Sequence, residues 1–238
     1  MEIYIYIGIV SLLAGFIQGL TGFGSVLLPL PLMALFLDMK TAVPLVALYA
    51  TVLSLILLVQ LREHWRWADI YPLFLGSIPG IPLGVVFLKQ MDPFWVKLII
   101  GAVLILYSLY GLLWKPAVLE MKKRWIYVFG FASGFLGGAI AAAGPPVIVY
   151  TSLQPWSKDR IKVTLQGFFT ASGIVVVFFQ ALGGLVTGTV LVYFLAAVPL
   201  LVVGTWAGSL LYGRVREEAY RKILFVFLAI LGVMMLRN

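Results

Sequence analysis

Apolar residues run along the chain in ten blocks, near 3–20, 24–37, 41–61, 69–88, 95–114, 125–142, 145–156, 161–184, 189–212 and 221–237, with the charged residues gathered between or at the ends of them. Most blocks approach the ~20 residues that an α-helix needs to cross a hydrocarbon core. Two are shorter, 24–37 and 145–156, at about 12–14 residues. Each is joined to the block before it by a stretch of small residues without charge, Gly19-Leu-Thr-Gly-Phe-Gly-Ser25 in one case and Gly137-Gly-Ala-Ile-Ala-Ala-Ala-Gly-Pro-Pro146 in the other. A turn with no charge between short helices suits a hairpin that turns at membrane depth, fully spanning or re-entrant, better than one that reaches water.

These features recur at a fixed distance, as an internal repeat does. At a shift of 119, Ala14-Gly-Phe-Ile-Gln-Gly19 lies on Ser133-Gly-Phe-Leu-Gly-Gly138 and Thr51 lies on Thr170. At a shift of 120, Gln60 meets Gln180, Phe74-Leu75 meets Phe194-Leu195, Pro79 meets Pro199 and Gly84 meets Gly204. The pattern predicts one all-α polytopic membrane domain over 1–238. It divides into a first repeat at 3–114, a cytoplasmic linker at 115–124 and a second repeat at 125–237. Each repeat holds a Gly-rich broken-helix hairpin followed by three long transmembrane helices.

Composition removes the alternatives. Of the 238 residues only 17 are Lys or Arg and 9 are Asp or Glu, while 63% are hydrophobic, too little polar surface for a soluble domain. With no Cys and a single His, His64, thiolate and histidine metal sites are excluded, and no cofactor or resident metal is expected. The net charge of +8 reads as membrane orientation rather than nucleic-acid binding, because no basic stretch stands apart from a long apolar run. Thirteen of the 17 cations, among them Arg62, Arg66, Lys122, Lys123, Arg124, Arg160 and Arg214, fall on one side if each hairpin returns the chain to the face it left. Lys40, Lys89, Lys97 and Arg237 fall on the other. The positive-inside rule then makes the first side cytoplasmic in a cell (inner) membrane, places both termini outside, and inverts one repeat relative to the other. The first residues, beginning Met-Glu, lack the basic start of a signal peptide and are expected to remain in the mature protein.

Inverted repeats with broken helices hold their ligand where the hairpin tips meet near the midplane. The helix after each tip is expected to start at Gly24-Ser25 or at Pro145-Pro146, and its N-terminus offers unpaired N–H groups and about half a positive charge. Two facing N-termini would make an anion site built largely of backbone. The candidate binding residues are therefore Gln18, Thr21, Gly22, Phe23, Gly24 and Ser25 at the first tip, and Gly138, Ala143, Gly144 and Pro145 at the second. Thr51 and Thr170 stand mid-span in corresponding helices, where each hydroxyl could face a ligand or bond to the carbonyl four residues back. The spacings Gly76-xxx-Gly80-xxx-Gly84, Gly130-xxx-Gly134-xxx-Gly138 and Gly204-xxx-Gly208 fit close helix packing, within the chain or against a second copy in a homodimer.

All nine acids fall in or near loops, so no mid-membrane carboxylate is expected to carry a proton or sodium. Asp38 and Asp159 read as N-caps of the third helix in each half. His64, in Glu63-His-Trp-Arg-Trp67, belongs to an interfacial aromatic and basic belt, and no nucleophile, base and orienting group fall at one depth. The chain is thus not expected to be an enzyme.

The tip Ala14-Gly-Phe-Ile-Gln-Gly-Leu-Thr-Gly-Phe-Gly24 followed by Pro29 and Pro31, with its partner Ser133-Gly-Phe-Leu-Gly-Gly138 leading to Gly144-Pro-Pro146, resembles the TauE/SafE family of sulfite exporters and toluene sulfonate uptake permeases. The likeness covers essentially the whole chain. Ala141 and Ala143 stand where the second tip of the family often has Gly. The resemblance implies transport of sulfite, sulfoacetate or a related organosulfonate, mainly outward, whereas composition and spacing imply only a small anion as partner besides membrane lipid. An anion channel or a non-transporting membrane assembly partner would use the same features.

Overall fold

The computed structural model describes residues 2–21, 26–60, 66–113, 124–211 and 217–237, and these form ten helices. They are α1 (Glu2–Thr21), α2 (Pro29–Met33), α3 (Met39–Gln60), α4 (Trp67–Gln90), α5 (Pro93–Leu113), α6 (Trp125–Ile140), α7 (Gly144–Ser152), α8 (Lys158–Leu182), α9 (Gly188–Leu211) and α10 (Glu217–Arg237). In lipid a spanning segment must satisfy its own backbone, and uninterrupted apolar helices do so. Six of them, α1, α3, α4, α5, α8 and α9, are long and apolar enough to cross a membrane, and the chain is an all-α polytopic membrane protein.

Two boundaries differ from the sequence reading, and the first bears on a tip. The short helix after the first tip starts at Pro29, not at Gly24-Ser25, and it is only five residues long. Pro29 sits at the first position of α2, where its missing N–H costs no intrahelical bond, although Leu28 before it already has helical φ and ψ and the Leu30 N–H reaches back to the Val26 carbonyl at 3.0 Å. At the head of α8 the cap is Ser157 rather than Asp159: its Oγ accepts from the Arg160 N–H at 3.3 Å, and Asp159 lies inside the first turn. Asp38 does cap the start of α3, its carboxylate accepting from the Lys40 N–H at 2.9 Å.

The helices pair across the two halves. α1 packs on α9 and α6 on α4, while α3 packs on α8 and α5 on α10. Exchanging each helix of the first half for its matched helix in the second leaves this pairing unchanged. The α1–α9 and α4–α6 crossings are backbone on backbone. A Cβ placed on Gly84 would fall on the Phe135 carbonyl oxygen, and one on Gly208 would fall on that of Phe16. Without a side chain in the way, helices approach closely enough for dispersion and Cα–H···O contacts, which drive association where apolar burial from water cannot.

Candidate functional site

α6 ends at the second tip in an unusual backbone turn. Ala141 takes φ 54° and ψ 6°, in the left-handed region, and the Ala142 N–H reaches back to the Leu136 carbonyl at 3.2 Å. The chain then re-enters a helix at Gly144 and Pro145, and α7 runs nine residues to Ser152. Pro145 and Pro146 give α7 a preset start but remove two of the four N–H groups that its first turn would otherwise present. The dipole remains, while the N–H groups of that turn without an intrahelical acceptor reduce to those of Ala143 and Gly144.

Beside this tip lies a cavity of about 60 Å³. One water needs ~10–15 Å³ on that measure, so the space holds about four waters or a small anion. Ala141, Ala142, Ala143, Gly144 and Ile148 line it from the second tip, Val26 and Leu27 from the first, Ala47, Ala50, Thr51 and Ser54 from α3, and Phe169, Ser172, Gly173 and Val176 from α8, with Gly137 of α6 completing it. No charged side chain is among them. The hydroxyls differ in what they have left to give. Thr51 Oγ1 donates to the Ala47 carbonyl at 2.8 Å and Ser172 Oγ to that of Phe168 at 2.7 Å. Ser54 is buried, and its Oγ has no hydrogen-bond partner among the described residues.

The cavity lies where the two halves differ in side-chain size. Ala47 and Gly137 line it, whereas the positions matched to them at the shift of 119 carry Gln166 and Gln18, both buried. Ala50 and its match Phe169, and Ser54 and its match Gly173, all line the same space, with Gly173 packed against the Thr51 side chain.

Of the candidate residues, the structure gathers Thr51, Ala143 and Gly144 on the cavity wall. Gln18 is buried on α1, and Thr170, on α8, donates its hydroxyl to the Gln166 carbonyl at 2.8 Å; neither lines the cavity. Gly138 lies in the α4 crossing, where a Cβ would meet the Ile81 carbonyl oxygen, and Pro145 is buried just behind the tip. Gly22, Phe23, Gly24 and Ser25 fall outside the described residues, as do His64 and the side chain of Thr21. Sequence reasoning passed over Ser54. The signal that could have found it is its place one turn after Thr51 in an otherwise apolar mid-span, matched by a glycine in the second half.

A second polar feature joins the halves away from the cavity. Asp69, buried at the start of α4, accepts two hydrogen bonds of 2.7 Å from Arg160 of α8, whose guanidinium also lies 4.5 Å over the Trp156 ring. Between this pair and the cavity sits an apolar cluster of Ile70, Leu73, Val147, Tyr150, Leu165 and Phe168.

The family model described as "Sulfite exporter TauE/SafE" matches residues 7–235. A protein of Cupriavidus necator named "Probable sulfite/organosulfonate exporter TauE" is 28% identical over 205 residues, covering 81% of this chain and 78% of the relative. No solved structure matches. With a match across almost its whole length, ten helices and a neutral, hydroxyl-lined cavity at a hairpin tip, the chain belongs to the TauE/SafE sulfite exporter family of membrane transporters, which are not enzymes.

Proposed function

We propose that the protein is a secondary transporter that exports a small sulfur-containing anion, sulfite or a short organosulfonate such as sulfoacetate, across the cytoplasmic membrane. The observation that carries this reading is the cavity at the second tip, a space of small-anion size lined by the first residue of α7 and by Ser54, whose hydroxyl has no partner among the described residues. A helix N-terminus contributes up to ~2 kcal/mol toward a partly buried anion, and a neutral hydrogen-bond donor about as much again. Binding of that order is weak and reversible, as a carrier requires. The repeat and the pairing of helices across halves support two inverted repeats with both termini outside, rocking about the tip site to give alternating access. The absence of a cation from the cavity wall supports a site that releases its anion easily. An inside-negative potential favours outward movement of a monoanion by about 2.3 kcal/mol per 100 mV, so export needs no built-in coupling ion.

The test is efflux from proteoliposomes loaded with sulfite or sulfoacetate, with a potassium-diffusion potential imposed in the presence and absence of a pH gradient. Efflux should accelerate when the interior is negative; dependence on the pH gradient alone would remove the uniport reading, and no flux of either anion would remove the substrate class. Gly144→Leu should stop flux while the protein stays in the membrane. Gly144→Ala should retain it, because its Cβ would stand 3.4 Å from Ile148 Cδ1, an ordinary contact. Normal flux in the leucine variant would dismiss the tip cavity.

A further inference from the structure

We infer that Ser54 is the residue that meets the charged group of the bound anion, and that the cavity around it admits singly charged anions while rejecting doubly charged ones. The inference rests on the transporter reading above and specifies its site. A buried hydroxyl without a partner is costly, and native interiors rarely leave one. Ser54 is 1% exposed on the wall of a space that holds about four waters. Thr51 and Ser172 already spend their protons on carbonyls of their own helices. Ser54 is therefore the wall hydroxyl with a proton to offer, and Gly144 at the head of α7 supplies a backbone donor on the other side of the same space.

Charge selection follows from what the wall lacks. The remainder of the lining is alanine, glycine and apolar side chains such as Ile148, Phe169 and Val176, with no Lys, Arg or His. The cost of taking an ion out of water grows with the square of its charge, so a dianion pays about four times what a monoanion pays. One hydroxyl and one helix terminus can offset the smaller penalty only. An apolar wall on the far side also suits a short carbon chain attached to the charged group. The geometry fits a one- or two-carbon sulfonate, or a singly protonated oxyanion of like size, and disfavours a sulfate-like dianion.

The experiment is a thermal-unfolding titration of the purified full-length protein in detergent. Methanesulfonate serves as a monoanion, sulfate as a dianion and dimethyl sulfone as an uncharged analogue. In the wild type, methanesulfonate should raise the unfolding temperature in a saturable way, whereas sulfate and dimethyl sulfone should not at the same concentrations. Ser54→Ala should weaken the response to methanesulfonate by roughly tenfold to a hundredfold, the worth of a hydrogen bond to a charged group. The same variant should unfold, without ligand, no earlier than the wild type, since it loses an unsatisfied hydroxyl and nothing else. Ser108→Ala, which removes a second buried hydroxyl lacking a partner among the described residues, but on α5 and away from the cavity, should leave the methanesulfonate response intact. A Ser54→Ala protein that binds methanesulfonate as the wild type does would overturn the role of Ser54 alone. Equal affinity for sulfate would overturn the charge selection alone. A wild type that responds to neither methanesulfonate nor sulfite would bring down the sulfur-anion reading and this inference together.

Discussion

Ala141 holds the second tip in a backbone shape that L side chains avoid. The left-handed conformation costs a non-glycine residue ~1–2 kcal/mol, and Ala141 accepts it at φ 54° while lining the cavity. Glycine would remove that cost but would free the unfolded chain by ~0.4–1 kcal/mol. Ala141→Gly is therefore expected to be as stable as the wild type or more stable by up to ~1.5 kcal/mol, and Ala141→Val, β-branched where φ is positive, to lose at least ~1–2 kcal/mol. Thermal unfolding in detergent checks both, and a glycine variant clearly less stable than the wild type would show that the methyl group packs for more than the strain it costs. Residue-scale features like this were only partly legible from the chain. Thr51 is picked out by its match to Thr170, and Ala143 and Gly144 by their place in the second Gly-rich tip, whereas Ser54 has only its position one turn after Thr51 to set it apart from Ser108. What distinguishes Ser54 in the structure is the empty space beside it, which small residues on three other elements create.

At the scale of the element, the glycines do more than permit close approach, because they set the register of each crossing. Phe135 and Phe16 are matched residues, and so are Gly84 and Gly204. Gly84 nevertheless sits over the Phe135 carbonyl, while Gly204 sits over the Leu12 carbonyl and Gly208 takes the place over Phe16. The α1–α9 crossing is thus one helical turn out of step with α4–α6. The chain explains why: Gly80 and Gly76 are matched by Leu200 and Ala196, and Gly208 by Leu88, so either half forced into the register of the other would drive a Cβ into a carbonyl. Each pair is therefore locked in its own step, so in the alternating-access cycle proposed above α1 would move with α9, and α4 with α6, as units. Gly84→Ala is expected to destabilise by about 1–3 kcal/mol or more, because its Cβ would meet backbone that cannot swing aside. Gly188→Ala, with nothing within 4 Å of its Cβ, should be neutral or slightly stabilising. Comparing unfolding of the two variants in detergent checks the argument, and equal effects would refute it. The spans themselves were readable because a bilayer imposes one length on every apolar helix. Their lateral pairing was not, since the Gly-xxx-Gly rows mark an adhesive face without naming its partner.

For the molecule as a whole, the two halves share a helix order but not their polar chemistry. Asp69 and Arg160 stand 91 residues apart in sequence, one in each half, and close a bidentate pair between the starts of α4 and α8. The matched positions carry Thr189 and Thr41, so the corresponding end of the other half has no such tie. No sequence rule could have paired Asp69 with Arg160 rather than with Arg66, which is three residues away and approaches only to 4.0 Å. The choice depends on α8 lying against α4. With Asp69 9% exposed and Arg160 30% exposed, the pair lies between a surface ion pair worth ~0.2–1 kcal/mol and a fully buried one whose rupture costs ~3–5 kcal/mol. Asp69→Asn should accordingly lower stability by about 1–3 kcal/mol, and Arg160→Gln by a similar or smaller amount, because Asp69 keeps Arg66 within reach. The double variant should lose clearly less than the sum of the two, since the second change removes a charge that the first has already orphaned. A thermodynamic cycle by thermal unfolding in detergent measures that shortfall, and strictly additive losses would mean that the two ends of α4 and α8 are held by the apolar cluster of Ile70, Leu73 and Phe168 alone.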